Sequence, residues 1–357
     1  MERIRFAIIG SGWRARYYIR VARALPQYFE LSGLLCRTNE KAEALREEYG
    51  IKTTLNEQDI INEKPDFIVV AVNKASVADV SIEWLKRGYH VLAETPCALE
   101  KETIDVLLKY EGKLVIAEQY LKYPENIARV KLLEKGLIGK TDYLYLSLAH
   151  EYHGASLMRK FLDTGFEDFK VTAWEKSFPT VETLSRYERF EDGRIAEKKR
   201  TLALFEFESG KMCFYDFDSE QYRSPLRSSH FKLQGVRGEM YDDEVSWIDQ
   251  DNVIHKDKLN ILTRVVRTDN SNPNLNNYEE VQEISLNGEV LYEAPFGLCG
   301  LSRDETAMAM MLKQMRDFIE SGKEPYSLKD ALYDAYMAIR LREAVSKKET
   351  VVSDWKI

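Results

Sequence analysis

The chain has 357 residues, with 44% hydrophobic and 31% charged side chains and a formal net charge of -8 at pH 7. A single hydrophobic core stops growing at roughly 250–300 residues, so two domains are expected. The acidic balance disfavours nucleic acid and anionic membrane as partners, because both need a basic face. No apolar run approaches the roughly 18 residues of a membrane-spanning helix.

The opening MERIRFAIIG passes from charged residues straight into a strand and lacks the long apolar stretch of a signal peptide. Four cysteines, Cys36, Cys97, Cys213 and Cys299, show no CxxC spacing. They read as reduced thiols of a cytoplasmic protein.

In chain order, a strand over Arg5 to Ile9 ends in Gly10-Ser11-Gly12, and a helix follows from Trp13 to about Leu25. Ala15, Tyr18, Ile19, Ala22 and Leu25 recur at three- and four-residue spacing on one face of it. The turn reads G-x-G-x-x-A. Gly10 permits a tight bend, and Gly12 lets the backbone approach a pyrophosphate on the helix N-terminus. A strand over Leu31 to Cys36 and a helix over Lys41 to Tyr49 follow. Asp66 to Val72 is near-continuously apolar, as in a parallel strand buried on both faces. A helix over Val77 to Arg87, a strand over His90 to Ala93, a helix over Glu100 to Lys109 and a strand over Leu114 to Ala117 complete the alternation. Strand–helix units with short links predict a doubly wound Rossmann sheet. After the second strand stands Arg37-Thr38-Asn39. An arginine there can pair with a 2′-phosphate, so NADP is favoured over NAD.

Beyond residue 122 the pattern changes. A helix is expected over Pro124 to Lys135, a strand over Thr141 to Ala149 and a helix from about Gly154 to Leu162. Strands are then expected at Phe169 to Phe178, Thr201 to Glu208, Lys211 to Asp218, Phe231 to Val236, Val245 to Ile248 and Val281 to Ile284. Thr268 to Asn277, rich in asparagine, reads as a loop. Ser302-Arg303-Asp304-Glu305 is a capping box before a methionine-striped helix, and a last helix runs from Ser327 to about Ala344. The expected architecture is therefore α/β. It pairs a Rossmann domain at 1–122 with an α+β domain at 123–357 built on a large, mainly antiparallel open sheet. Such a sheet can leave one face for another subunit, so a homo-oligomer (dimer or tetramer) is expected.

Several stretches together resemble the Gfo/Idh/MocA family, the glucose–fructose oxidoreductase and inositol dehydrogenase group. They are AIIGSGWRA, RGYHVLAETPCAL, YPENIARVKLLEKGLIGK, HGASLMRKFL and YSLKDALYDAYMAIRLREA. The resemblance implies NAD- or NADP-dependent oxidation or reduction of hydroxyls on sugars, cyclitols and related small molecules. Coenzyme contacts are expected on Gly10, Ser11, Gly12, Trp13 and Arg14, on Arg37 and Thr38, on Ala71 and Asn73, and on Glu94, Thr95 and Pro96; the resemblance matches Gly10, Gly12 and Ala15 to its pyrophosphate turn. Glu94 and Pro96 match the ends of the family's Glu-Lys-Pro, whereas Thr95 stands in place of its lysine. The family's frequent aspartate falls on Ala149. His153 matches its histidine at the head of the substrate-domain helix.

Hydride transfer at a carbinol carbon needs a group that takes or gives the hydroxyl proton. With the lysine gone, His153 is the first candidate, helped by Tyr120 or Lys122 beyond the last Rossmann strand. Glu118, Gln119, His150 and Tyr152 are expected to bind the substrate. A zinc reading of His150-x-x-His153 lacks a third ligand, so no metal is expected. Two other readings fit the missing lysine: a catalytically silent, coenzyme-bound sensor, and a redox-neutral lyase or glycosidase that uses transient oxidation.

Overall fold

The computed structural model describes residues 3–267 and 277–356, so the loop expected over Thr268 to Asn277 lies almost wholly outside the described residues. Two compact units emerge, one of residues 1–123 with 295–336, the other of 124–294 with 337–357. A single cut near residue 122 is expected from the sequence; the units are instead discontinuous, because the methionine-striped helix near the chain's end returns to the first.

The first unit carries strands β1 (Ile4–Ile9), β2 (Phe29–Leu35), β3 (Thr53–Thr54), β4 (Phe67–Val70), β5 (His90–Ala93) and β6 (Leu114–Ile116). Its helices are α1 (Trp13–Ala24), α2 (Asn39–Tyr49), α3 (Glu57–Asn62), α4 (Val77–Lys86) and α5 (Lys101–Leu107). The strands form one sheet in the order β3-β2-β1-β4-β5-β6, parallel throughout. The order reverses between β1 and β4, which puts a crevice at their carboxyl ends. All four residues of β4 are buried, as the continuous apolar run requires.

The second unit holds α6 (Pro124–Glu134), β7 (Thr141–Ser147), α7 (Glu151–Leu162), β8 (Phe169–Val181), β9 (Ile195–Phe207), β10 (Met212–Asp218), β11 (His230–Gly235), β12 (Gly238–Tyr241), β13 (Glu244–Ile248) and β14 (Ile254–Lys258). It continues with β15 (Asn260–Arg267), β16 (Asn277–Leu286) and β17 (Glu289–Glu293), a separate three-stranded sheet. Helices α8 (Arg303–Ser321) and α9 (Leu328–Lys347) and the short β18 (Val351–Val352) close the chain. The large sheet has nine strands in the order β14-β13-β12-β11-β7-β10-β9-β8-β18. Only β7 and β10 pair in parallel within it. Leu144, Phe205, Cys213 and Phe231 are buried on one face, where Phe231 meets Phe161 of α7. The opposite face exposes Trp174 and Phe178, each 51% accessible.

In the first unit, Met308, Met311, Leu312, Met315 and Phe318 of α8 join Phe6, Ile8, Ile19 and Ala22 in one core. The capping box forms as expected, with Ser302 accepting from the Glu305 N–H while the Glu305 side chain accepts from Ser302. α7 begins at Glu151 rather than near Gly154. The His150 carbonyl already takes the His153 N–H at 3.0 Å, and Tyr215 Oη takes that of Glu151 at 2.8 Å, so the first turn closes earlier.

Candidate coenzyme and substrate sites

In the first unit the glycine turn is built for close approach. Gly10 has φ +120°, and a Cβ placed on it would lie 2.3 Å from the Ala71 carbonyl oxygen. Only glycine fits there. Gly12 caps α1 with no side-chain hydrogen bond, no acid stands in the helix's first turn, and nothing lies within 4 Å of a Cβ on Gly12. A glycine cap and a first turn without an acid suit an anion at the start of α1. Ala15 is fully buried where the fingerprint often has a third glycine. Ser11 hydrogen-bonds the Cys36 thiol, whose pKa burial raises.

Arg14, expected at the coenzyme, has its side chain engaged within the unit. Its Nε donates to Glu94 Oε1 at 2.9 Å and its Nη1 to Asp304 Oδ2 at 2.6 Å, while Tyr18 Oη donates to Glu94 Oε1 at 2.6 Å. Arg14 and Glu94 are both buried, and a buried guanidinium keeps its charge only if paired. Burial alone would lower the Arg14 pKa, but Asp304 and then Glu94 raise it well above the ordinary value. Glu94 is likewise engaged inside the unit.

Asp304 is the residue that sequence reading missed as a site element, since it registered only as part of a cap. Its carboxylate takes Arg14, and its Oδ1 also takes Gln119 Nε2 at 3.2 Å and Tyr123 Oη at 3.1 Å. Gln119 Oε1 is buried with no hydrogen-bond partner among the described residues, an acceptor that a ligand's N–H could satisfy. Glu118 accepts from the Tyr120 N–H at 3.0 Å, and the Tyr120 ring stacks on Tyr123 with centroids 4.6 Å apart. Lys122 Nζ donates to the Pro325 carbonyl at 3.4 Å. Burial lowers its pKa to about 8, against the opposing pull of Glu118. Thr95 is half-buried, and the Thr95–Pro96 peptide is cis.

Of the remaining coenzyme candidates, Arg37 is exposed at the end of β2 with no hydrogen-bond or ion-pair partner among the described residues. Thr38 caps α2, accepting from Lys41 N–H. Asn73 Oδ1 accepts from the Ala75 N–H at 3.1 Å, an Asx-type turn that leads into α4. A cavity of about 500 Å³ lies elsewhere, lined by Ser32, Gly33, Arg46, Ile51, Lys52 and Ile60 among others; it takes in none of the expected site residues.

In the second unit, His150 is the N-cap of α7 and sits between two phenols. Its Nδ1 is 2.8 Å from Tyr222 Oη and its Nε2 is 2.9 Å from Tyr152 Oη. The His153 ring is buried, 5.0 Å from that of His150 and 4.4 Å from that of Tyr152. So the structure does gather His150, Tyr152 and His153, and adds Tyr222, which sequence spacing could not reveal. Gly154 permits this: a Cβ there would lie 2.9 Å from Tyr215 Cε2 and 3.1 Å from the Ala149 oxygen. Glu151, at φ +37°, pairs with Arg342 at 2.8 Å. No group of three histidine, cysteine, aspartate or glutamate side chains suited to a metal occurs among the described residues. No helix among them is long and apolar enough to cross a membrane.

Residues 4–115 match the Gfo/Idh/MocA model, an oxidoreductase family with an NAD-binding Rossmann fold. No curated protein matches the sequence. Among solved structures, levoglucosan dehydrogenase in its apo form superposes with TM-score 0.70 at 16% identity, covering 99% of this chain and 100% of the other. An oxidoreductase from Agrobacterium radiobacter, in complex with NAD+, L-tartaric acid and magnesium, gives TM-score 0.67 at 14% identity over 98% of both chains. Myo-inositol dehydrogenase from Lactobacillus casei, in complex with NAD(H) and myo-inositol, gives 0.66 at 14%, covering 99% of this chain and 98% of that one. These likenesses show a shared fold.

Proposed function

We propose, from an N-terminal domain that belongs to the Gfo/Idh/MocA oxidoreductase family, that this NAD(P)-dependent oxidoreductase acts on a hydroxyl or ketone of a sugar, cyclitol or sugar-derived small molecule. The observation that carries the reading is the cradle at Gly10 and Gly12. A bend that only glycine tolerates leads into a helix whose N-cap, Gly12, has no side chain and whose first turn carries no acid, as suits a coenzyme diphosphate. Bound NAD or NADP supplies the hydride acceptor or donor. Arg37, exposed beyond β2 with no partner among the described residues, supports a 2′-phosphate and so NADP. Gln119 Oε1 is the acceptor left for a coenzyme or substrate N–H.

The hydroxyl proton needs a carrier, and Thr95 is a poor one near pH 7. His153 is the candidate in the second unit, with His150 and Tyr152 beside it to bind hydroxyls. Lys122 is the candidate in the first unit. With an amine lowered to about 8, a fraction of it is neutral and able to accept a proton near pH 7. Tyr120 and Glu118 complete the polar group there. A cytoplasmic location fits this chemistry. The half-exposed apolar face of the nine-stranded sheet supports a homo-oligomer, with Trp174, Leu202, Leu204 and Phe214 on β8, β9 and β10 as its contact.

Calorimetry with NAD+ and NADP+, followed by absorbance assays over a panel of sugars, cyclitols and uronates, tests the reading. Tighter binding of NADP+ and turnover of at least one panel member are expected, with His153→Ala reducing turnover by about 10²–10⁴-fold. No heat at millimolar coenzyme would overturn it. The substitution of Thr95 for lysine favours a second reading, a coenzyme-bound sensor; tight binding without turnover anywhere on the panel selects that one.

A further inference from the structure

Ser228, His230 and Asp242 stand together in the second unit, and none of them serves the reading above. Ser228 Oγ is 2.9 Å from His230 Nε2, and His230 Nδ1 is 3.0 Å from Asp242 Oδ2. Both distances lie within the reach of a nucleophile–base–orienter set, and each ring nitrogen faces the partner that role demands. With the carboxylate holding the Nδ1 proton, the Nε2 lone pair is left facing the serine hydroxyl.

The surroundings fix all three members. Asp242 Oδ1 accepts from the Phe231 N–H at 2.8 Å, and the Asp242 carbonyl accepts from buried Arg129 at 2.9 Å. His230 opens β11 opposite Ser147. The Ser228 carbonyl takes Gln221 Nε2 at 3.0 Å, and the same Gln221 nitrogen binds the Ser147 carbonyl at 2.6 Å. The preceding residue, Arg227, is tied to Asp218 at 2.9 Å and Thr180 at 3.0 Å. Ser228 itself is exposed. The backbone N–H groups of Ser228 and Ser229 lie outside the strand ladder and have no acceptor among the described residues.

We propose that Ser228, His230 and Asp242 form an acyl-transfer site that hydrolyses short-chain carboxylic esters. The proposal is independent of the coenzyme reading. Ser228 Oγ attacks the ester carbonyl carbon while its proton passes to His230 Nε2. The carbon–oxygen bond to the alcohol then breaks, and the alcohol leaves with the proton from His230. Water, deprotonated by the same imidazole, attacks the acyl-serine and releases the carboxylic acid with Ser228 restored. The site is open, with the His230 and Asp242 side chains 38% and 35% accessible, so it suits a small acyl group rather than a long chain. Exposed Leu226 and the Tyr241 ring, parallel to His230, offer apolar surface to the alcohol portion.

The test uses the full chain with p-nitrophenyl acetate and with a fluorophosphonate probe. Hydrolysis above background and phosphonylation mapped to Ser228 are expected. Ser228→Ala, at an exposed position, should abolish both and leave coenzyme binding unchanged. His230→Gln should lower hydrolysis by about 100-fold or more. Absence of label on Ser228, or full hydrolysis by Ser228→Ala, would overturn the proposal.

Discussion

Replacing Lys122 with methionine should remove an amine that folding keeps against the cost of burying its charge. The pKa falls from the ordinary 10.5 to about 8, a difference equivalent to about 3 kcal/mol at its ceiling. Lys122 is half-buried rather than sealed, so solvent screening reduces the expected gain to about 1–2 kcal/mol. At pH below 8 both the folded and unfolded chains carry the proton, and the penalty is complete. Between about 8 and 10.5 the folded chain releases it while the unfolded chain keeps it, so wild-type stability rises with pH. Lys122→Met should therefore be the more stable protein at pH 7, with the advantage disappearing as pH approaches 10.5. Urea unfolding of both proteins from pH 6 to 10 reads this directly. Parallel stability curves would refute the reasoning. Turnover supplies the other half: if Lys122 carries the hydroxyl proton, the stabler variant is slower by about 10²–10⁴-fold.

Gly10→Ala should abolish detectable coenzyme heat in calorimetry and lower stability by more than about 2 kcal/mol, because the new methyl meets the Ala71 carbonyl in a left-handed backbone. Arg14→Met should cost about 3–5 kcal/mol in urea unfolding, since it strands the buried Glu94 carboxylate. Adding Glu94→Gln to that variant should return part of the loss. Gly154→Ala should cost about 1–3 kcal/mol by driving Tyr215 from α7, seen as a lower thermal midpoint.

Much of the first unit was legible because its signals are local. Apolar strands buried on both faces, a glycine turn and amphipathic helices repeat within 117 residues, and His90 to Ala93 was placed to the residue. The short β3 and α3 escaped because two residues make no alternation and six make under two helical turns. In the second unit, β14 reads Ile-His-Lys-Asp-Lys, a charged edge strand without an apolar face to betray it. The site divides in the same way. His150, Tyr152 and His153 are neighbours in sequence, so their cluster could be anticipated. Tyr222 lies 72 residues from His150, and Asp304 lies 290 from Arg14; no periodicity links such pairs. Arg14 illustrates this, since its position at the turn is visible in the sequence and its distant partner is not.

The return of α8 to the first sheet has a consequence for synthesis. Arg14 and Arg20 both sit at the interior of the first unit, and their carboxylate partners Asp304 and Glu305 follow after residues 124–294 have been made. At about 5–20 residues per second, that interval is on the order of 10–35 s. For that time the nascent Rossmann sheet presents an uncovered apolar surface, and Arg14 has Glu94 but lacks Asp304, while Arg20 lacks Glu305. The N-terminal third of this chain is thus the first to be translated and among the last to be finished.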